Sequence, residues 1–236
     1  KQAIAERPEL TELNSINNKL KVILNSFDEL KDVRSEGVDQ LTNKLSNGKY
    51  TFRTYKDRNT KIIHLVEEII AFADDKELSN KATVLHAQMM VKDIYSEMRG
   101  LMYGAFVVKG NMGPARFRHF VNIESVLSEY QAKITRQASP EVRSIISRIN
   151  SNPNQSQVVE LIKNLLQQLN EKLNYDADSY FSNISQLIHT YQQAEEHVLE
   201  EIQRLLAAKT EQANYLVNST LVLANGLLLL IMAIST

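Results

Sequence analysis

The sequence predicts an all-α protein, a bundle of long helices made of four-helix-bundle type modules. Three observations carry this. Seven glycines and four prolines in 236 residues are too few to cut the chain into many short elements. Apolar residues recur at steps of three and four over long stretches, which is helical spacing. Strand-like alternation is hard to find anywhere.

The elements follow in order. Pro8 precedes a first helix over about 11–45, with Leu13, Ile16, Leu20 and Ile23 opening its apolar stripe and Gly37 as a weak point. Ser46-Asn47-Gly48 ends it. A second helix is expected over 50–73. Its basic first half (Arg53, Lys56, Arg58, Lys61) reads as a solvated face. Asp74-Asp75-Lys76 turns the chain into a third helix over 77–109. In that helix Ile94, Met98, Leu101, Met102, Ala105 and Val108 form a core-facing stripe. Lys92, Tyr95, Arg99 and Tyr103 form a second stripe beside it. Gly100 and Gly104 each cost about 1 kcal/mol of helix propensity. They predict a neighbouring helix drawn close to the backbone around Arg99.

Gly110 to Pro114 is a loop, and Pro114 suits the first turn of a helix over 115–137. Ser139 as cap and Pro140 at the first position open a helix that ends near Asn150. Asn152-Pro153-Asn154 breaks the chain, and a helix over 155–173 follows. Asp176 or Asp178 caps the last and longest helix, which runs from Tyr180 toward the C-terminus. No residue from 215 to 234 is charged, and a run of about 20 such residues is enough to cross a bilayer. The domain division expected is therefore a helical extracytoplasmic domain over 1–213 and a transmembrane helix over 214–236. Burial of that run in a helical core is the alternative. The chain begins at Lys1, and no basic residue follows the apolar run as it normally would on a cytoplasmic side. A fragment that continues into a signalling module is expected.

Composition removes several classes of function. A net charge of −1 argues against a general nucleic-acid binder. The absence of cysteine excludes disulfides, thiolate metal sites and cysteine nucleophiles. No metalloprotease, di-iron, dinucleotide-binding, phosphate-loop or nucleophile-elbow pattern occurs. His197, with Glu200 and Glu201 nearby, reads as a polar helix face rather than a metal site. The expectation is a non-enzyme with no metal and no cofactor.

What remains is Arg99, a charge set in strongly apolar sequence. One reading pairs it with Glu97 or with an acid on a neighbouring helix. The other makes it the centre of an anion site, since guanidinium stays charged and offers planar, forked donors to small oxyanions. Lys92, Tyr95 and Tyr103 share its stripe and could each add a donor.

Three segments in order resemble the nitrate- and nitrite-sensing (NIT) domain family. Lys92-Asp93-Ile94-Tyr95-Ser96-Glu97-Met98-Arg99-Gly100 resembles its Lys-Glu-x-x-Gly-x-Glu-Arg-Ala signature, with Ser96 and Met98 at the glycine and glutamate positions. Leu30 to Asp39, which contains Arg34, resembles its Leu-x-x-x-Arg-x-x-Ile-Asp segment. Asp178 to Ile188 resembles its Trp-Phe-x-x-x-Thr-x-x-Ile-Asp segment, with Tyr180 in place of the tryptophan. The resemblance covers roughly 10–213. It implies an all-helical sensor, extracytoplasmic or sometimes soluble, that binds nitrate or nitrite through arginines on facing helices. It implies that a helix displacement passes to an attached chemoreceptor, kinase, cyclase or antiterminator part. Arg99 matches the signature arginine. The family's first-helix arginine motif is not matched upstream of Arg34, so a different ligand stays open. The partners expected are a small anion, a second copy of the chain, the membrane at 215–234 and a cytoplasmic output module, with the sensor outside the cytoplasmic membrane. A helical sensor that binds a protein partner and a membrane-inserting, pore-forming protein are the rivals.

Overall fold

The computed structural model describes residues 14–23, 25, 51–72, 74–109, 112–167 and 173–234, without the side chains of 51–55, 69, 72 and 216–234. Among these residues every regular element is a helix. A segment over 14–23 is followed by α1 (Thr51–Phe72), α2 (Lys76–Val108), α3 (Gly113–Gln137), α4 (Pro140–Ser151), α5 (Pro153–Leu165) and α6 (Ala177–Ile234). The all-α prediction holds for them. Most of the expected first helix, with Arg34, lies outside the described residues.

α2 is the central element. It packs most extensively on α6, then on α3 and α1, while α4 and α5 rest on each other and on α6. Polar ties show that α1, α3 and α6 all run antiparallel to α2. Lys56 meets Glu97 while His86 meets Glu67, and Tyr103 meets Asp178 while Lys81 meets Glu201. For α3, His119 meets Glu97 while the Tyr130 ring meets His86.

Local chemistry sets the helix starts. Asp75 Oδ1 accepts the Leu78 N–H at 2.8 Å and opens α2. Ser139 caps α4, and Asn152 accepts the N–H groups of Asn154 and Gln155 to cap α5. Each satisfies backbone donors that have no intrahelical partner. Of the two aspartates open to cap α6, Asp176 does so, accepting the Ser179 N–H at 2.7 Å. Gly113 enters α3 at φ 72°, a conformation that L side chains rarely adopt.

Three expectations are corrected. α5 stops at Leu165 rather than near residue 173, and residues 173–176 are not helical. There the chain buries Leu173 in the core and brings Tyr175 to 5.5 Å from Phe106, ring centre to ring centre. Val108, placed in the core-facing stripe, is 74% exposed, because α2 ends on it and Lys109 turns left-handed at φ 49°. Ile94, Met98, Met102 and Ala105 of that stripe are buried as expected. Among the described residues no neighbour draws close to Gly100 or Gly104, since an added Cβ would meet no described atom within 4 Å.

The core is one continuous cluster. Met98, Met102 and Phe106 of α2 meet Phe120, Leu127 and Ile134 of α3 and Tyr180, Ile184 and Leu187 of α6. Full burial of such side chains is worth about 1.5–3 kcal/mol each. Tyr180 stacks edge-on against Phe106, with centroids 5.1 Å apart, and spends its hydroxyl on the Met98 carbonyl at 3.2 Å.

Among the residues whose side chains are described, no helix is long and apolar enough to cross a membrane. The expected span at 215–234 belongs to the far end of α6, which stays helical to Ile234. Its side chains from 216 onward lie outside the described residues, as does the burial of the Leu227–Ile234 run on which the pore-forming rival depends.

Open space at Gly100 and Gly104 yields a prediction. Gly100→Ala and Gly104→Ala should each stabilise the protein by about 0.5–1 kcal/mol in urea denaturation, through helix propensity alone. A loss of stability in either would show that something close-packed covers that stripe.

Candidate functional site

Arg99 leaves α2 one residue past Met98, so its backbone sits against the core while its side chain runs along the flank of α6. Nη1 donates to Ser185 Oγ at 3.0 Å, and the guanidinium carbon lies 4.8 Å from the centre of the Phe181 ring. Ser185 Oγ in turn donates to the Phe181 carbonyl at 2.6 Å, which fixes its lone pairs toward the arginine. Phe181 and Ser185 are four apart on α6 and therefore share a face.

Neither carboxylate expected to neutralise Arg99 does so. Glu97 is held from two sides, by Lys56 Nζ of α1 at 3.1 Å and by His119 Nε2 of α3 at 2.7 Å. Among the described residues no carboxylate lies within ion-pair distance of Arg99. Of its five N–H donors, Ser185 is the only acceptor found there for any. Burial pushes the Arg99 pKa down from its ordinary value, and neighbouring Tyr180 opposes this slightly. A guanidinium stays charged through such a shift. The site is thus a half-buried cation that is stacked and oriented but lacks a counter-charge among the described residues.

The other expected residues divide. Tyr103 is part of the site. Its ring meets Phe181 edge-on at 5.5 Å, and its hydroxyl donates to Asp178 at 3.3 Å. Lys92 is not, because Glu195 of α6 takes its ammonium at 2.5 Å. Tyr95, one turn before Arg99, is buried in the core, its ring 5.7 Å from Tyr191 and its hydroxyl accepting from Gln131 Nε2 at 2.8 Å. Burial raises the Tyr95 pKa well above its ordinary value, so it stays a neutral core residue. Arg34 lies outside the described residues. Sequence reading missed Phe181 and Ser185, although their four-residue spacing inside the 178–188 segment was the available signal.

Beyond Phe181 and Ser185 an open groove of about 980 Å³ runs between α6 and the α4–α5 turn. Arg148, Asn152, Gln155 and His189 also line it, and no carboxylate does. Among the described residues the lining of that groove therefore carries no negative charge. No group of three or more His, Asp or Glu among the described residues is placed to hold a metal ion. Large exposed apolar side chains are dispersed, with Val107 and Val108 ending α2, Val126 on α3 and Leu199, Leu206 and Tyr215 spread along α6.

The structure thus sets an oriented arginine at the junction of two long helices of an all-helical domain. Residues 2–203 match the family model described as nitrate and nitrite sensing (NIT). The chain belongs to that family. No curated protein and no solved structure matches it.

The grip on Glu97 has a pH signature. Burial alone would raise its pKa, but the hydrogen bonds from Lys56 and His119 outweigh this and hold it below the ordinary carboxylate value. A lowered carboxylate contributes stability above the unfolded value of 4.5 and loses it as pH falls through the folded value. Glu97→Gln should therefore flatten the acid limb of stability, measured as urea midpoints across that range. Parallel curves for the variant and the parent would contradict the assignment.

Proposed function

We propose that this NIT domain captures nitrate or nitrite at Arg99 and reports it by shifting α2 against α6. The observation that supports this most is the missing counter-charge, since Arg99 is half-buried and held in place with donors to spare. Phe181 covers one face of the guanidinium, and its edge remains open to a planar oxyanion. The present contacts of Arg99 cross from α2 to α6. An anion that draws the guanidinium away from Ser185 changes a direct tie between the two helices.

In this reading α6 carries the displacement onward. It is helical without a break from Ala177 to Ile234. The uncharged run at 215–234 would span about 30 Å at the helical rise, enough for a bilayer. The protein then acts as the extracytoplasmic sensor of a bacterial receptor of the inner membrane, paired as a homodimer and coupled to a chemoreceptor, kinase or cyclase output module. It does no catalysis itself. Arg34, the arginine of the upstream family segment, would supply a second cation.

Calorimetric titration of sodium nitrate and sodium nitrite into the 236-residue chain tests the site. Saturable binding is expected, with sodium chloride as the control. Arg99→Ala should cost about 2–5 kcal/mol of binding, the usual loss for one side of a desolvated charge pair, with unfolding unchanged. Arg99→Lys should recover part of it, because the point charge remains while the fork is lost. Unaltered affinity in Arg99→Ala would refute the reading.

A further inference from the structure

The groove beside Arg99 is far larger than one inorganic oxyanion fills. At about 980 Å³ it falls at the upper end of the roughly 300–1,000 Å³ of small-molecule sites. One wall is the α4–α5 turn, with Arg148, Asn152 and Gln155, and the other is α6, with Phe181, Gln186 and His189. It therefore lies along the seam that holds α4 and α5 to α6.

Two buried polar side chains belong to that seam. Gln155 and Thr190, both in the groove lining, are each 7% exposed. Thr190 Oγ1 donates to Gln155 Oε1 at 3.1 Å, and Gln155 Nε2 donates to the Gln186 carbonyl at 3.4 Å. A side-chain amide carries two N–H donors. Among the described residues the second N–H of Gln155 has no acceptor, and a buried donor left so costs free energy until something reaches it.

More donors stand around it. Asn152 spends its side-chain oxygen on the N–H groups of Asn154 and Gln155, which leaves its own amide N–H groups to give. Gln193 Nε2 donates to His189 Nε2 at 3.2 Å, so the neutral His189 ring carries its proton on Nδ1. Arg148 is exposed and meets no carboxylate among the described residues. It is the fixed cation of a lining in which no described residue is acidic.

We propose that this groove binds a small organic carboxylate at a site separate from Arg99. Arg148 takes the carboxylate through its planar fork. The N–H groups of Gln155 and Asn152 serve the remaining oxygen atoms, and the Phe181 ring offers an apolar surface to the carbon skeleton. A cationic ligand finds no counter-charge in this lining. Phe181 and Ser185 line the groove and also hold Arg99, so its occupant touches the residues that orient the arginine.

The test is ¹⁵N NMR of the 236-residue chain titrated with sodium succinate and with sodium citrate, against sodium chloride at matched ionic strength. The backbone amides of Gln155, Gln186 and His189 should shift saturably with at least one carboxylate and not with chloride. Arg148→Ala should weaken that binding about tenfold or more, the usual worth of a hydrogen bond to a charged group. Gln155→Leu should weaken it as well, whereas Arg99→Ala should leave it in place. Should Gln155→Leu not fold, Arg148→Ala still decides, because Arg148 is an exposed side chain. No saturable shift with either carboxylate overturns the proposal, and so does binding that ignores Arg148→Ala or is lost in Arg99→Ala. No nitrate enters the experiment, so its failure is distinct from failure of the anion site.

Discussion

The structure depends on a cation, Arg99, that the fold places and that no carboxylate among the described residues neutralises. Leaving a charge without a partner in a partly dry site is costly. Here the cost is limited by a hydroxyl, by an aromatic face and by the half-exposure of the side chain. The pairing is nevertheless displaced onto neighbours, since Glu97 goes to Lys56 and His119, Glu195 to Lys92, and Asp178 to the Tyr103 hydroxyl. Each of these acids has its own donor, and among the described residues none is left for Arg99.

The same ties explain why one ion could move a long helix. α2 and α6 are joined along their length by Tyr180 on the Met98 carbonyl, by Arg99 on Ser185, and by the Lys92–Glu195, Lys81–Glu201 and Asp75–Lys209 pairs. Only the Arg99 tie uses a charged donor on a neutral acceptor. In the proposed reading an arriving anion would compete at that point, while the buried aromatic layer of Phe106 and Tyr180 keeps the helices packed.

Much of the fold was legible because helices announce themselves locally. Ser139 with Pro140, Asp176, and the stripe from Ile94 to Ala105 all behave as their chemistry dictates. The end of α5 was not legible, because burial of Leu173 and Tyr175 is a tertiary event that overrides propensity. The site was half legible. Arg99 and Tyr103 share a stripe and meet at Phe181, but Lys92 and Tyr95 on that stripe are claimed by Glu195 and by Gln131 with Tyr191. Helical spacing shows which residues share a face of one helix. It does not show what the facing helix supplies, and Phe181, Ser185 and Glu195 all come from α6.

The most direct measurement is the ¹⁵N NMR signal of the Arg99 side-chain Nε–H, assigned with Arg99→Lys, during titration with sodium nitrate. The account predicts that this signal shifts saturably, together with the backbone amides of Phe181 and Ser185. If that signal stays fixed while resonances elsewhere move to saturation, the anion binds at another place and Arg99 is a structural residue.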